Sequence, residues 1–298
     1  MKRRVVQHGP STLTISLPAR WVRAKSIQKG MEIDVEQLKD GLLLTASGGV
    51  QQEAKHLSIR GLDAIIPKAI AALYKGGYDE VVIEYGTPQE LERVHFMIRT
   101  GCVGFEIIDE TKTTVTIRKV SDFSEAEFKP LFRRLFHFLV NTSDDSLDAA
   151  RGHDTVLARS LVLRDENINK IADICRRIIN TQRQQQYRSD TAIYHIIEEL
   201  EKIGDHYKII NTILAERKTP SSEPVLRYYA AVNALLHQYH ELFFRFSIEQ
   251  CEQIYNEIGR IENENVAPRK DEERVLSALR NIVNDLSDLI GTTMILHL

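Results

Sequence analysis

The sequence predicts a multidomain α+β protein, because the spacing of its apolar residues changes twice along the chain. Up to residue 47, short stretches alternate between polar and apolar residues, as in half-buried strands. Residues 54–120 alternate between strand-like and helix-like stretches, and from residue 123 onward apolar residues recur at helical spacing. We therefore expect three domains: a small β-rich domain at 1–47, a small α/β domain at 54–120, and an all-helical domain at 123–298.

The first domain is predicted to contain short strands joined by tight turns. Pro18 ends the first clear strand, because proline cannot donate a hydrogen bond to a neighbouring strand. Asp40-Gly41 is a strong hairpin signal, and Ser47-Gly48-Gly49 has the composition of a flexible linker. In chain order we expect a strand at 12–17, one or two helical turns at 19–25, and strands at 31–35 and 42–45.

The middle domain is predicted to follow the order β-α-β-α-β-β. Gly76-Gly77 is a typical helix stop, and Thr87 is a suitable helix cap. This order of elements suits a small α/β sandwich. The predicted elements are a strand at 57–60, a helix at 63–75, a strand at 81–83, a helix at 88–99, and strands at 103–108 and 113–117.

The last 176 positions are predicted to form an antiparallel bundle of two three-helix sets, separated by residues 218–222. A weak internal repeat relates the third helix, with Glu201 and Asp205, to the sixth, with Asp285 in the matching frame. The predicted helices lie near 125–150, 153–186, 190–217, 224–246, 248–264 and 270–297.

Composition excludes several classes of protein. The three cysteines have no disulfide or metal-type spacing, which favours a reducing cytoplasm, and no run of 18 apolar residues predicts insertion into a membrane. The sequence contains no nucleophile or acid–base motif that would indicate an enzyme.

The formal net charge is −3, yet residues 1–25 contain six basic residues and no acidic one. This local excess indicates an anionic partner such as DNA, or a solvated basic terminus.

Size adds a further expectation for the first domain. About 47 residues bury too little apolar surface to be stable alone, and dimerisation is an economical remedy. A dimer would also present two sets of basic side chains to one partner.

The ordered residues of this segment carry a family resemblance. The string from Arg4 to Leu44, with Gly9-Pro10-Ser11-Thr12 and Leu17-Pro18-Ala19-Arg20-Trp21 in it, resembles the SpoVT/AbrB family and looks like its archaeal branch. The resemblance implies a homodimer in which two chains form a swapped-hairpin β-barrel that binds DNA. It implies DNA-binding roles for the basic residues Arg20, Arg23 and Lys25, with Arg3 and Arg4 in support.

The predicted third helix carries an acidic motif. Glu201 and Asp205 are four residues apart and therefore lie on one helix face. Carboxylates that converge between facing helices are how helical bundles hold metal ions, whereas an exposed acidic face is the simpler interpretation.

The wider string 197–211 resembles the signature of PhoU-type proteins, which regulate phosphate uptake. The resemblance implies two three-helix repeats, and a divalent or trivalent metal ion at Glu201 and Asp205. The second copy departs from the pattern, because Arg280 or Asn281 stands where the family has Glu, and Asn169 replaces another typical acid. One incomplete metal site, or none, is therefore expected.

Together the two resemblances predict a cytoplasmic DNA-binding regulator of phosphate uptake, whose helical domain senses or receives the signal. A first alternative is a PhoU-like adaptor that acts on a phosphate transporter or a sensor protein, in which the N-terminal domain mainly dimerises. A second alternative is an AbrB-type antitoxin.

Overall fold

The protein was analysed as a computed structural model that describes residues 2–38, 41–46, 54–181 and 187–298. The chain forms two compact units, Met1–Ala54 and Lys55–Leu298. The segments predicted as an α/β domain and as a helical domain lie together in the second unit. The linker predicted at 47–49 and the turn residue Asp40 lie outside the described residues.

The N-terminal unit contains two separate antiparallel pairs of strands. Strands β1 (Val6–Gln7) and β2 (Leu13–Thr14) form one pair, helix α1 (Ala19–Ala24) follows, and β3 (Ile33–Leu38) pairs with β4 (Gly41–Ala46) in a hairpin. The strand predicted at 12–17 is thus only two residues long, because residues 15–17 have no paired strand among the described residues. The described strands of one chain therefore do not close the predicted barrel.

The α/β region follows the order of elements that the sequence predicts. Its elements are β5 (Lys55–Ser58), α2 (Ile66–Lys75), β6 (Glu80–Glu84), α3 (Pro88–Thr100), β7 (Phe105–Glu110) and β8 (Thr114–Lys119). The sheet order is β5-β6-β8-β7, with β5 and β6 parallel and the other neighbours antiparallel. Apolar side chains of α2, α3 and the sheet form one core, so both helices cover the same face.

Six long helices form the helical bundle, as the apolar spacing predicts. They are α4 (Glu125–Gly152), α5 (Thr155–Thr181), α6 (Tyr187–Glu216), α7 (Glu223–Phe244), α8 (Ile248–Glu262) and α9 (Glu273–His297). A single 3-10 turn, Lys270–Glu272, precedes α9. None of the helices that the structure describes combines the length and low charge that a bilayer span requires.

Helix α6 lies at the centre of the bundle and packs against α4, α5 and α9. Within the core, Tyr229 donates a hydrogen bond to Ser146 (2.5 Å), whose hydroxyl donates to Asn211 (2.7 Å). Tyr207 donates to Asn233 (2.8 Å) in the same buried layer. Because these groups are buried, their mutual hydrogen bonds offset the cost of removing them from water and fix the register of α4, α6 and α7.

Arg177 of α5 joins the helical bundle to the α/β region. Its buried guanidinium donates to the backbone carbonyls of Tyr74 (2.7 Å) and Tyr78 (3.1 Å) and to the carboxylate of Asp79 (2.5 Å). The same group lies over the rings of Tyr74 and Phe105. These contacts satisfy the carbonyls at the end of α2 and orient the α/β region on the bundle.

Candidate functional site

The acidic motif of α6 faces a buried arginine on α5. Arg176 is fully buried, and its guanidinium pairs with Glu201, with Glu198 at 3.0 Å and with Asp173 at 3.1 Å. Burial raises the pKa of Asp173, while Lys75 and Arg176 oppose that effect. One buried cation thus pairs with three carboxylates, including Glu201, where the sequence predicts a metal ligand.

Asp205, the second predicted metal ligand, lies one turn further along α6 and at the surface. Partial burial and the nearby carboxylate of Asp165 raise the pKa of Asp205. Asp165 itself is buried on α5, where Lys208 donates to it at 2.7 Å and Asn169 at 3.0 Å. Glu201 and Asp205 therefore share a helix but have different neighbours on α5.

The matching acid of the second repeat also has a cation partner on α6. Asp285 of α9 is buried, and Lys202 of α6 approaches its Oδ1 at 2.6 Å. His206, one turn further along α6, lies 3.1 Å from Oδ2. The hydrogen bond to Asp285 raises the pKa of Lys202, so the ammonium stays charged.

These ion pairs affect whether the acidic motif can bind a metal ion. Glu201, Asp165 and Asp285 each pair with a cation, so a metal ion would first have to displace Arg176, Lys208 or Lys202. Within 2–38, 41–46, 54–181 and 187–298, no three or more His, Cys, Asp or Glu side chains are placed to hold a metal ion. The residues present do not fit a multinuclear metal centre, and a single metal at Glu201 and Asp205 stays a prediction.

Two cations that pair with the carboxylates of this site, Arg176 and Lys208, were not predicted from the sequence. Arg176 stands in the otherwise apolar run Ile174-Cys175-Arg176-Arg177-Ile178, and a charge inside such a run is a signal for a buried ion pair. Lys208 lies three residues beyond Asp205, within the recognised motif. Both signals were present, but the carboxylate that each cation meets follows only from the packing of α5 on α6.

The predicted DNA-binding residues lie on the surface of the N-terminal unit. Arg20 and Arg23 are on α1 and Lys25 follows it directly, while Arg3 and Arg4 precede β1. All five side chains are exposed. Arg3 lies 3.5 Å from the hydroxyl of Ser16, and Arg23 donates to the carbonyl of Ala19.

The thiols of the second unit are protonated at neutral pH. Burial raises the pKa of Cys102 and of Cys175 to about 12, and it also raises the pKa of Cys251. Because the thiolate is the nucleophilic form, these three side chains act as packing groups.

One segment of the helical bundle matches a known protein family. Residues 132–214, most of α4 to α6, match the PhoU domain family. Among solved structures, the chain is similar to the phosphate transport system regulatory protein PhoU from Streptococcus pneumoniae, with 16% identity and a TM-score of 0.48 over 57% of this chain and 92% of that one. No curated protein matches the chain.

The family match lies outside residues 1–47, so the resemblance of that segment to the SpoVT/AbrB family stays a prediction. The acidic motif of α6, with Glu201, Asp205 and their partners on α5, lies inside the matched segment. The helical bundle of this chain contains a PhoU domain at residues 132–214.

Proposed function

We propose that this protein is a regulatory adaptor of phosphate transport, whose helical bundle binds a phosphate transporter or its sensor protein. The PhoU domain at 132–214 is the observation that carries this proposal. The ion pairs of the acidic motif support it, because they link α5, α6 and α9 into a rigid scaffold for a partner.

A groove between α8 and α9 gives the transporter or sensor a place to bind. The groove has a volume of about 640 Å³, and the apolar side chains of Ile248, Ile290 and Met294 line it beside Tyr255. Tyr255 is 63% exposed although its ring is large and mostly apolar. Exposed tyrosines beside apolar grooves are frequent anchors of protein interfaces.

The experiment is a binding measurement by biolayer interferometry. The purified full chain is tested against the purified cytoplasmic parts of the phosphate transporter and of the sensor from the same organism. We expect one of them to bind, and Tyr255→Asp to weaken binding at least about tenfold because an interface tyrosine anchor is lost.

Leu163→Asp on α5 is the matched control, because Leu163 is 66% exposed but lies outside the groove. It should bind as the wild type does. The proposal is wrong if neither component binds, and the groove is not the docking surface if Tyr255→Asp binds normally.

A second candidate function, DNA binding by a dimeric N-terminal unit, has its own supporting observation. The five basic residues named above are exposed, and none of the unit's described side chains is buried. Apolar residues such as Val5, Val6 and Leu13 are exposed on or beside β1 and β2. A second copy of the unit would cover them and double the positive charge.

A salt series with DNA from the protein's own promoter region tests this function. If a dimer contacts on the order of 4–8 phosphates, the logarithm of affinity should fall with the logarithm of salt at a slope of about −4 to −7. Arg20→Ala combined with Arg23→Ala should weaken binding and flatten the slope, whereas Arg274→Ala on α9 should change neither. Unchanged DNA affinity in the double variant would leave the adaptor as the function to pursue.

A further inference from the structure

Helices α4 and α7 together carry a groove lined by cations and aromatic rings. Two adjoining depressions, of about 570 and 480 Å³, share the side chains of Arg133 and His137. The acidic motif lies on other helices, and the proposed docking groove lies between α8 and α9. We call this surface the basic groove, and its basic lining residues are Lys129, Arg133, Arg134, His137, His240 and Arg245.

Aromatic rings position the two central guanidinium groups. Arg133 lies over the ring of Phe244 at 5.3 Å, and Arg134 lies over the ring of Phe138 at 5.2 Å. A guanidinium that lies over a ring face keeps N–H donors free, and these can bind an oxyanion in a forked geometry.

The cations of the basic groove have no carboxylate partner within the part of the chain that the structure describes. No described acidic group lies within ion-pairing distance of Lys129, Arg133, Arg134 or Arg245. Elsewhere on the same two helices a basic group does have such a partner, since His237 of α7 contacts Asp144 of α4 at 2.9 Å. Among the described lining residues, Glu241 is the one acid.

The imidazoles of His137 and His240 also line this surface. The rings of His137 and His240 lie 5.5 Å apart, and Nε2 of His240 is buried without a hydrogen-bond partner among the described residues. Burial lowers the pKa of His240, and the nearby His137 and His237 lower it further. A ligand that reached this nitrogen would satisfy a buried polar atom that otherwise has no hydrogen bond among the described residues.

Size and charge together indicate the class of ligand. Each depression has the volume of a small-molecule site, and the row Lys129, Arg133, His137 spans eight residues, or about 12 Å along the helix. Several exposed cations without carboxylate partners in so small a space favour a ligand with several negative charges. A phosphoryl group carries up to two charges and three acceptor oxygens, whereas a carboxylate carries one charge and two.

We propose that the basic groove binds a small phosphoryl anion, with Arg133 and Arg134 as the forked donors and Lys129 and Arg245 as flanking charges. Orthophosphate and a short polyphosphate share this chemistry, and the spread of the four cations over α4 and the end of α7 favours the longer ion. The site is independent of the proposed adaptor function, because it uses other helices and other residues.

Isothermal titration calorimetry of the full chain with tripolyphosphate and with orthophosphate tests this proposal. We expect one tripolyphosphate per chain and weaker binding of orthophosphate. Arg133→Ala and Arg134→Ala should each weaken tripolyphosphate binding at least about tenfold, and Arg133→Lys should recover part of the loss because charge returns without the fork. Arg274→Ala, an exposed arginine of α9, should have no effect.

Circular dichroism will establish that each variant is folded. If Arg133→Ala or Arg134→Ala does not fold, Lys129→Ala and Arg245→Ala test the same groove in its place. Equal tripolyphosphate affinity in the wild type and in both arginine variants would overturn the proposal. Tighter binding of a ten-residue oligoglutamate at the same residues would also overturn it, in favour of an acidic peptide. Tyr255→Asp should still bind tripolyphosphate, so failure of the adaptor function is distinguishable from failure of this site.

Discussion

Arg176 is the residue on which the acidic motif of α6 depends. Its guanidinium lies among Asp173, Glu198 and Glu201 with almost no access to solvent. A buried charge of this kind is tolerated only when its partners are in place. The sequence predicts the motif but not its partner, because Arg176 lies 25 residues from Glu201 and the two meet only through helix packing.

Replacing Arg176 by methionine should destabilise the protein by about 3–5 kcal/mol, because it leaves Glu201 and its neighbouring carboxylates facing one another without a cation. Urea unfolding followed by circular dichroism measures this change. Arg159→Met, an exposed arginine of the same helix, should cost no more than about 0.5 kcal/mol. Wild-type stability in the Arg176 variant would show that the motif does not need its internal cation.

The buried carboxylate of Glu272 should make the stability of the protein depend on pH. The buried carboxylate accepts hydrogen bonds from Arg269 and Ser222 and pairs with Arg217. Burial alone would raise its pKa, but the hydrogen bonds outweigh burial and hold the pKa well below the usual value of 4.5. A depressed folded-state pKa stabilises the fold above that usual value, and this stabilisation is lost progressively as the pH falls below it.

Glu272→Gln should therefore lower the free energy of unfolding at pH 7 by roughly 1–3 kcal/mol. The difference from the wild type should shrink progressively as the pH falls below 4.5, because the wild type alone loses this contribution there. Unfolding at a series of pH values measures it, with the exposed neighbour Glu273→Gln as control. A difference that is the same at every pH would contradict this assignment.

At the scale of elements, the contact between α5 and α6 sets the geometry of the motif. Gly204 lies on α6 where a Cβ atom would come within 3.2 Å of Ile168 and 3.8 Å of Asp165. The missing side chain lets the two helices approach closely, and that approach brings Lys208 to Asp165. The glycine therefore has a packing role inside the motif.

Two helical glycines make a matched test of this role. Gly259→Ala on α8 should stabilise the protein by about 0.5–1 kcal/mol, because its Cβ meets no atom within 4 Å and alanine favours a helix. In Gly204→Ala, the same gain in helix propensity should be offset by the close contact between the new Cβ atom and Ile168. Thermal unfolding compares the two variants, and an equal rise in melting temperature would contradict the close packing at Gly204.

The elements themselves were largely predictable, and the exceptions have a common cause. Long amphipathic helices such as α4 and α9 carry their signal locally, so their ends agree within a few residues with the prediction. The strand predicted at 12–17 does not, because a strand needs a neighbour and residues 15–17 have none described in this chain. Likewise, Glu201 and Asp205 were predictable as one helix face, whereas their different partners on α5 were not.

At the scale of the whole molecule, the exposed apolar residues of the N-terminal unit predict a dimer. Leu13 is 71% exposed, so Leu13→Asp should leave a monomer unaffected but should break a dimer that buries this residue. Sedimentation velocity should show a dimer for the wild type and a shift to monomer for the variant. Val156→Asp on α5, at 75% exposure, is the control and should stay dimeric.

A wild-type chain that sediments as a monomer would remove the basis for the dimeric DNA-binding unit. The adaptor function would be unaffected, since it rests on the PhoU domain at 132–214. The fold of that domain follows from local helical signals, whereas the assembly of the N-terminal unit depends on surfaces that a single chain leaves exposed.

The most direct test of the central claim is the rate of radiolabelled phosphate uptake by cells with and without this protein. Deletion should change the uptake rate when phosphate is plentiful, and the wild-type chain should restore it. Tyr255→Asp should fail to restore the rate, while Leu163→Asp should succeed. An uptake rate that is the same in the deletion strain and its parent, at high and at low phosphate, would contradict a role in regulating phosphate transport.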